Sequence, residues 1–268
     1  MKRVSKSAPP QTLVNYASAY PGATWDQMRD DNTNDGYTAA RDCRIDAVRD
    51  QGGLCAYCES RISPDDPLHC GVEHFHSKAD KGGNHNWSLD WQNMLAVCDG
   101  GSKRTQEDKA LYPLPENLSC DAHKDHMVNR GKLATKCEGF LLNPTNAPAF
   151  PNVFSFHKGT GCLSPNAECC EGVEIPGNAY ESTTELISHT IEFLNLNCDR
   201  LVERRRRLVV NIDRNKKELR ARNISPADMP GKLIQRYFSV KWPEFFTTLR
   251  CCLGATVENY LISIYYQG

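Results

Sequence analysis

Four cysteines frame a short stretch of this chain. Cys55 and Cys58 stand in LCAYCESRI, Cys98 ends WQNMLAVC, and Cys120 opens CDAHK. Structural zinc takes four ligands in a tetrahedron, and Cys-x-x-Cys spacing suits it. Cys55, Cys58, Cys98 and Cys120 are therefore the expected zinc ligands. The second pair is stretched by the insertion GGSKRTQEDKALYPLPENLS, so Cys70, His69 and His123 are alternatives for the fourth position. Between the cysteines lie Glu73 and His74 in GVEHFHSK and Asn93 in QNM: a carboxylate, an imidazole and an amide on one small frame.

That set suits phosphodiester hydrolysis. The reaction needs a base to activate water and a divalent cation to neutralise charge on the phosphate and leaving oxygen. A histidine titrating near neutrality is a natural base. Hard oxygen ligands such as Glu73 and Asp121 suit Mg²⁺ or Mn²⁺. Zinc would then be scaffold, and a second, labile cation would serve catalysis. VEHFH follows a loop rich in Pro and Asp and reads as a short strand. Alternation would send Glu73 and His74 to opposite faces unless a twist or bulge intervenes.

These residues resemble the HNH (ββα-metal) endonucleases: a Cys-x-x-Cys knuckle, an acid-His pair, an Asn before an apolar run, then further cysteines and a Lys. By that resemblance His74 is the general base, Glu73 helps hold the catalytic cation, and Asn93 ties down the loop between two strands and orients His74. Asp121 takes the position of the family's last His or Asn, with His123 its rival, and Lys124 completes the motif. A narrower likeness runs from about Thr24 to Arg222. TWDQMR, QGGLCAYCE, VEHFHSK, CDGG, LLNP and EFLNLNCDRLVERR look like the PtuB-like HNH proteins of retron and Septu anti-phage systems. The resemblance implies a PtuA-like ATPase partner and, in retron systems, a reverse transcriptase with its RNA–DNA product. The substrate is DNA or RNA, tRNA included, since such a site reads a phosphate and not a base.

The elements that must position these groups fall into three stretches. Residues 1–53 end in a helix from about Tyr37 to Gln51, closed by Gly52-Gly53. Residues 54–150 carry the motifs on short strands and long loops. Residues 151–268 are mainly helical beyond Ser182, with Pro243 splitting the segment Lys232–Leu253. The expected fold class is α+β: a zinc-stabilised ββα-metal core with surrounding helices and a helical C-terminal region.

Net charge is -1, so any nucleic-acid binding must come from local patches. The helix near 201–222 is the strongest patch. Arg204, Arg205, Arg207, Arg214 and Lys217 on it, with Lys124 nearer the motif, are the candidate phosphate contacts. A solvated helix face and a surface for an acidic partner are the competing readings. Lys103, Arg104 and Lys109 in the insertion offer a second contact. Trp87 and Trp91 read as local core rather than stacking platforms.

Thirteen cysteines without a secretory signal argue for metal ligands and buried thiols, not a disulfide framework. The chain is expected to be cytoplasmic, and no apolar run is long enough to span a membrane. The main alternative function is a catalytically silent zinc-binding adaptor that docks an ATPase or nucleic acid. A zinc deaminase is disfavoured, because no Pro precedes either cysteine pair and Glu precedes His.

Overall fold

A computed structural model describes residues 1–80, 82–103, 105–239 and 242–268. Among the described residues the chain is α+β, with eleven α-helices and two small antiparallel sheets. The N-terminal part comprises α1 (Gln11–Ala19), α2 (Trp25–Asp30) and α3 (Gly36–Asp50). Then come β1 (Cys70–His74), a single 3₁₀ turn (Trp91–Asn93), β2 (Met94–Cys98), α4 (Gln106–Leu111) and α5 (Cys120–Asn129). The remainder comprises β3 (Phe154–His157), β4 (Cys162–Pro165), α6 (Ala167–Glu171), α7 (Thr183–Phe193), α8 (Asp199–Ala221), α9 (Met229–Tyr237), α10 (Phe246–Leu253) and α11 (Ala255–Ser263). No helix among the described residues is long and apolar enough to cross a membrane.

Local sequence explains the helix boundaries that matter for the site. Thr24 and Gln27 form a reciprocal capping box that starts α2, which places the buried Trp25. Ser182 caps α7 by accepting from the Glu185 amide at 3.2 Å. The segment expected as Lys232–Leu253 is two helices, α9 and α10, with Pro243 in the break between them.

β1 and β2 pair in the register Cys70↔Cys98 to His74↔Met94. The strand expected over VEHFH ends at His74, so Phe75 and His76 already belong to the long loop leading to Trp91. Both α3 and α5 pack on β2, whose central residues are fully buried. The main core draws on residues from Met1 to Phe245, including the Cys-x-x-Cys residues Cys55, Ala56, Tyr57 and Cys58. A second apolar cluster joins Leu54 and Ala149 to Phe246, Val257, Leu261 and Tyr266.

Candidate active site and metal centre

The four framing cysteines converge. Cys55 and Cys120 sulfurs lie 3.8 Å apart, Cys58 and Cys98 3.6 Å, and Cys98 and Cys120 3.7 Å. All four fall within 4.8 Å of one another. A tetrahedron with Zn–S bonds of about 2.3 Å has edges of about 3.8 Å, so the sulfurs already have the spacing of a zinc tetrathiolate. The donor set and spacing fit zinc, and all thirteen cysteines are free of disulfides. The alternative fourth ligands lie elsewhere. Cys70 sits across the sheet register from Cys98, its thiol pushed up to about 11 by burial. His69 faces Asp99, and His123 faces the Phe193 carbonyl.

The insertion between Cys98 and Cys120 loops out without separating them. Gly100 takes φ +62 and lies so close to the Ser119 carbonyl that a Cβ would collide with it. The Ser119 amide donates back to the Gly100 carbonyl at 3.0 Å. From the other side, the Cys120 amide donates to Leu194 at 2.8 Å, and Asn195 donates to the Glu116 and Leu118 carbonyls. The LNLN run thus clamps the far end of the insertion. Cys120 itself has φ +56, a costly conformation for a residue with a Cβ, held by these surroundings.

Beside the cysteine cluster lies a cleft of about 270 Å³ lined by Glu73, His74, Lys78, Asp121, Lys124 and Asp125, among others. Glu73 and His74 share this cleft, although alternation would have parted them. His74 is the last residue of β1 and is buried, as is Glu73. Its ring lies 5.0 Å from Trp25 in an edge-on contact, and its Nε2 is 3.0 Å from the Ser88 carbonyl. A carbonyl only accepts, so Nε2 carries the proton and the Nδ1 lone pair is left free in the neutral ring. Burial holds His74 down at about 4, so the ring is neutral at physiological pH.

The carboxylates have unequal partners. Glu73 receives the Lys124 ammonium and lies 3.4 Å from the Tyr57 hydroxyl, which comes from within the Cys-x-x-Cys turn. The Asp121 Oδ1 is buried with no hydrogen-bond partner. Burial, with the negative charge of Glu73 beside it, pushes the Asp121 carboxyl well above the usual carboxylate range. Two carboxyl groups facing one cleft offer hard oxygen donors of the kind Mg²⁺ or Mn²⁺ takes. Burial works against Lys124, but Glu73, with Cys137 and Asp121 behind it, holds its ammonium above the ordinary lysine range.

Asn93 is buried between strand and loop. Its Oδ1 accepts from the His76 amide at 2.6 Å, and its Nδ2 donates to the carbonyls of His76 at 2.9 Å and Trp87 at 3.0 Å. Both ends of the loop that carries Ser88, the partner of His74, are therefore pinned by one amide.

Several expected residues do not join the cleft as anticipated. His123 points away from it. On a helix, two residues on from Asp121 means the opposite face, while Lys124, three residues on, shares the Asp121 face. Lys124 is buried against Glu73 rather than displayed to a passing phosphate. Arg205 is 1% exposed and so is not a surface phosphate contact, and Arg204 is engaged by Ser60 and Glu244. Arg207, Arg214 and Lys217 are on the exposed side of α8. In the insertion Lys103 is exposed, whereas Arg104 lies outside the described residues. Trp91 is core, donating to the Ser7 carbonyl, and Trp87 stacks on His76 at 3.9 Å.

His76 was missed by sequence reasoning. Its two ring nitrogens face Asp80 and Glu138, tying the loop to the segment after α5. No spacing rule could have paired it with Glu138, which lies 62 residues away.

An α+β chain with a zinc-type cysteine cluster beside an acid–imidazole cleft is the class that fold and site define. No family model matches the chain. It is 37% identical over 252 residues, 93% of its own length and 92% of the relative's, to an Escherichia coli protein named "Retron Ec83 putative HNH endonuclease". A similarly named Retron Vc95 protein of Vibrio cholerae is 30% identical over 79 residues, 27% of this chain and 37% of the relative. The chain belongs to the family of retron HNH endonucleases.

Proposed function

We propose that this chain is a metal-dependent HNH endonuclease that hydrolyses nucleic-acid phosphodiester bonds as the effector of a retron anti-phage system. β1, β2 and α5 would form its ββα-metal core. The single observation that carries the reading is the cleft in which the unpartnered Asp121 oxygen and Glu73 lie beside His74. Asp121 and Glu73 would hold Mg²⁺ or Mn²⁺, which when bound supplies positive charge to the scissile phosphate and leaving oxygen. His74 takes a proton from water at Nδ1, because the Ser88 carbonyl already occupies Nε2. Asn93 positions Ser88 and through it the imidazole. The four cysteines hold zinc as scaffold, and Tyr57 links that scaffold to Glu73. The exposed Arg207, Arg214 and Lys217 of α8 would track backbone phosphates.

The family relationship supports a retron setting, in which a reverse transcriptase with its RNA–DNA product and a PtuA-like ATPase would be the partners. The test is cleavage of DNA and RNA pools, tRNA included, with Mg²⁺ or Mn²⁺, with and without those partners. Wild type should cut, and His74→Ala should not, while keeping its fold and zinc. Undiminished cleavage by His74→Ala would remove His74 as the base. Absence of cleavage under every condition would favour the silent adaptor.

A further inference from the structure

Two stretches of the sequence, TWDQMR and VEHFHSK, meet in the fold. Trp25 packs edge-on against the His74 ring. The next residue, Asp26, accepts from the Lys78 ammonium through both carboxylate oxygens at 3.2 Å. Trp25 fixes the imidazole, but the pair beside it does little for the fold. Its side chains are 40% exposed at the lysine and 52% at the aspartate. A salt bridge so open to solvent contributes about 0–1 kcal/mol to stability.

The backbone beneath Lys78 is nevertheless firmly held. The Asp80 amide donates to the Ser77 carbonyl at 3.0 Å and closes a tight turn over Lys78. His76 Nε2 lies 2.9 Å from the Asp80 carboxylate. The Ser88 hydroxyl donates to the Lys78 carbonyl at 2.9 Å, while the Ser88 carbonyl receives His74 Nε2. One serine therefore ties the lysine backbone and the imidazole to a common frame.

Lys78 lines the cleft that holds His74. Among the described residues lining it, only Lys78 and Lys124 are cations, and Lys124 is buried against Glu73. Glu73, Asp121 and Asp125 face the same space, so a phosphodiester entering it needs positive charge to offset them. An ammonium has three N–H donors. The Asp26 oxygens occupy two at most, which leaves one for a phosphate oxygen.

We propose that Lys78 is a catalytic residue that donates to a non-bridging oxygen of the scissile phosphate, and that Asp26 is the positioning residue that aims it. The first turn of α2 then belongs to the active site: Trp25 seats the base and Asp26 seats the cation. Negative charge builds on the phosphate oxygens as water adds, so the donation strengthens towards the transition state. No proton changes hands at the lysine. The proposal rests on the nuclease reading and adds the residue that receives the substrate phosphate.

The test uses the full chain with Mn²⁺. Initial cleavage rates are measured over a concentration series of labelled DNA or RNA oligonucleotide, whichever the wild type cuts. Lys78→Gln should lower kcat about 10²-fold, the scale of losing one donor aimed at developing charge, with KM changed less than about threefold. Lys78→Arg should recover most of that loss, and the exposed Lys232→Gln on α9 should match wild type. Asp26→Asn should lower kcat in the wild-type background and change nothing further in Lys78→Gln. Zinc content and Mn²⁺ binding by calorimetry should be undiminished in Lys78→Gln. A kcat within about twofold of wild type in Lys78→Gln would overturn the proposal, as would a rise in KM alone or an arginine variant as slow as the glutamine one. Weaker Mn²⁺ binding in Lys78→Gln would also overturn it, by showing a lysine that shapes the metal site instead. Equal effects of Asp26→Asn in both backgrounds would remove Asp26 from its role. A wild type that cuts neither DNA nor RNA would sink the nuclease reading itself, and this assignment with it.

Discussion

Substituting Asn93 by Ala tests how the loop that carries the partner of His74 is held. The side chain is 5% exposed and makes three hydrogen bonds, to the His76 amide, the His76 carbonyl and the Trp87 carbonyl. Truncation strands a buried N–H and a buried C=O of His76. The Trp87 carbonyl, on a half-buried residue, regains water more readily. At about 1–3 kcal/mol for each buried group left unsatisfied, the expected cost is about 2–6 kcal/mol. With a urea m-value of about 3 kcal/mol/M, the midpoint should fall by about 1 M. Tryptophan fluorescence during urea titration reads the midpoint, and amide exchange at Phe75 and His76 reads the loop directly. Asn93→Asp retains the acceptor for the His76 amide but loses both donors and sets an anion against two carbonyls, so it should not rescue. Cleavage should fall in both variants, because Ser88 loses its fixed place against His74. An Asn93→Ala protein within about 0.5 kcal/mol of wild type, with unchanged exchange at His76, would refute the reasoning.

Three further outcomes follow from the same geometry. Metal analysis of purified protein should find about one zinc per chain at the cysteine cluster, and Cys120→Ser should lower that content. Lys124→Met should strengthen Mn²⁺ binding measured by calorimetry, because the ammonium and an incoming cation compete for Glu73; equal or weaker binding would show that the lysine does not compete. Lys6 donates to the Met94 carbonyl at 2.7 Å, and burial pushes it from 10.5 down to about 8. The unfolded chain then holds more protons between those values, so stability rises with pH across that window through this group, by an amount on the order of 3 kcal/mol. The slope of stability against pH from 8 to 10.5 should flatten in Lys6→Met, and an unchanged slope would exclude Lys6 as its source.

Short-range chemistry is legible in the amino-acid sequence. Cys-x-x-Cys announces a metal knuckle because two sulfurs three residues apart meet in one tight turn. The helix over 199–221 and the capping at Ser182 likewise depend on contacts a few residues apart. The LNLN motif is visible in the chain but its task is not. Its Asn195 reaches back to Leu118, and its Asn197 receives the Leu163 amide. The basic helix shows its charge in sequence, but not which arginines are spent inward. That depends on where α8 lies against Ser60 and Ser119.

The sequence by itself determined the donor types on offer: four cysteine sulfurs with the spacing of a metal knuckle, and carboxylates and an imidazole between them. It also determined the α+β class, through helical periodicity and short β-prone runs. Only the tertiary structure decided which groups share a space. It brought Glu73 and His74 into one cleft at the end of the strand. It put Asp121 in that cleft and turned His123 toward the Phe193 carbonyl through the phase of α5, and it turned Arg205 from a surface charge into a buried one. The physical reason is range. Ligand chemistry and helix phase are local properties of a few residues, whereas convergence and burial depend on segments that meet only after the chain has packed.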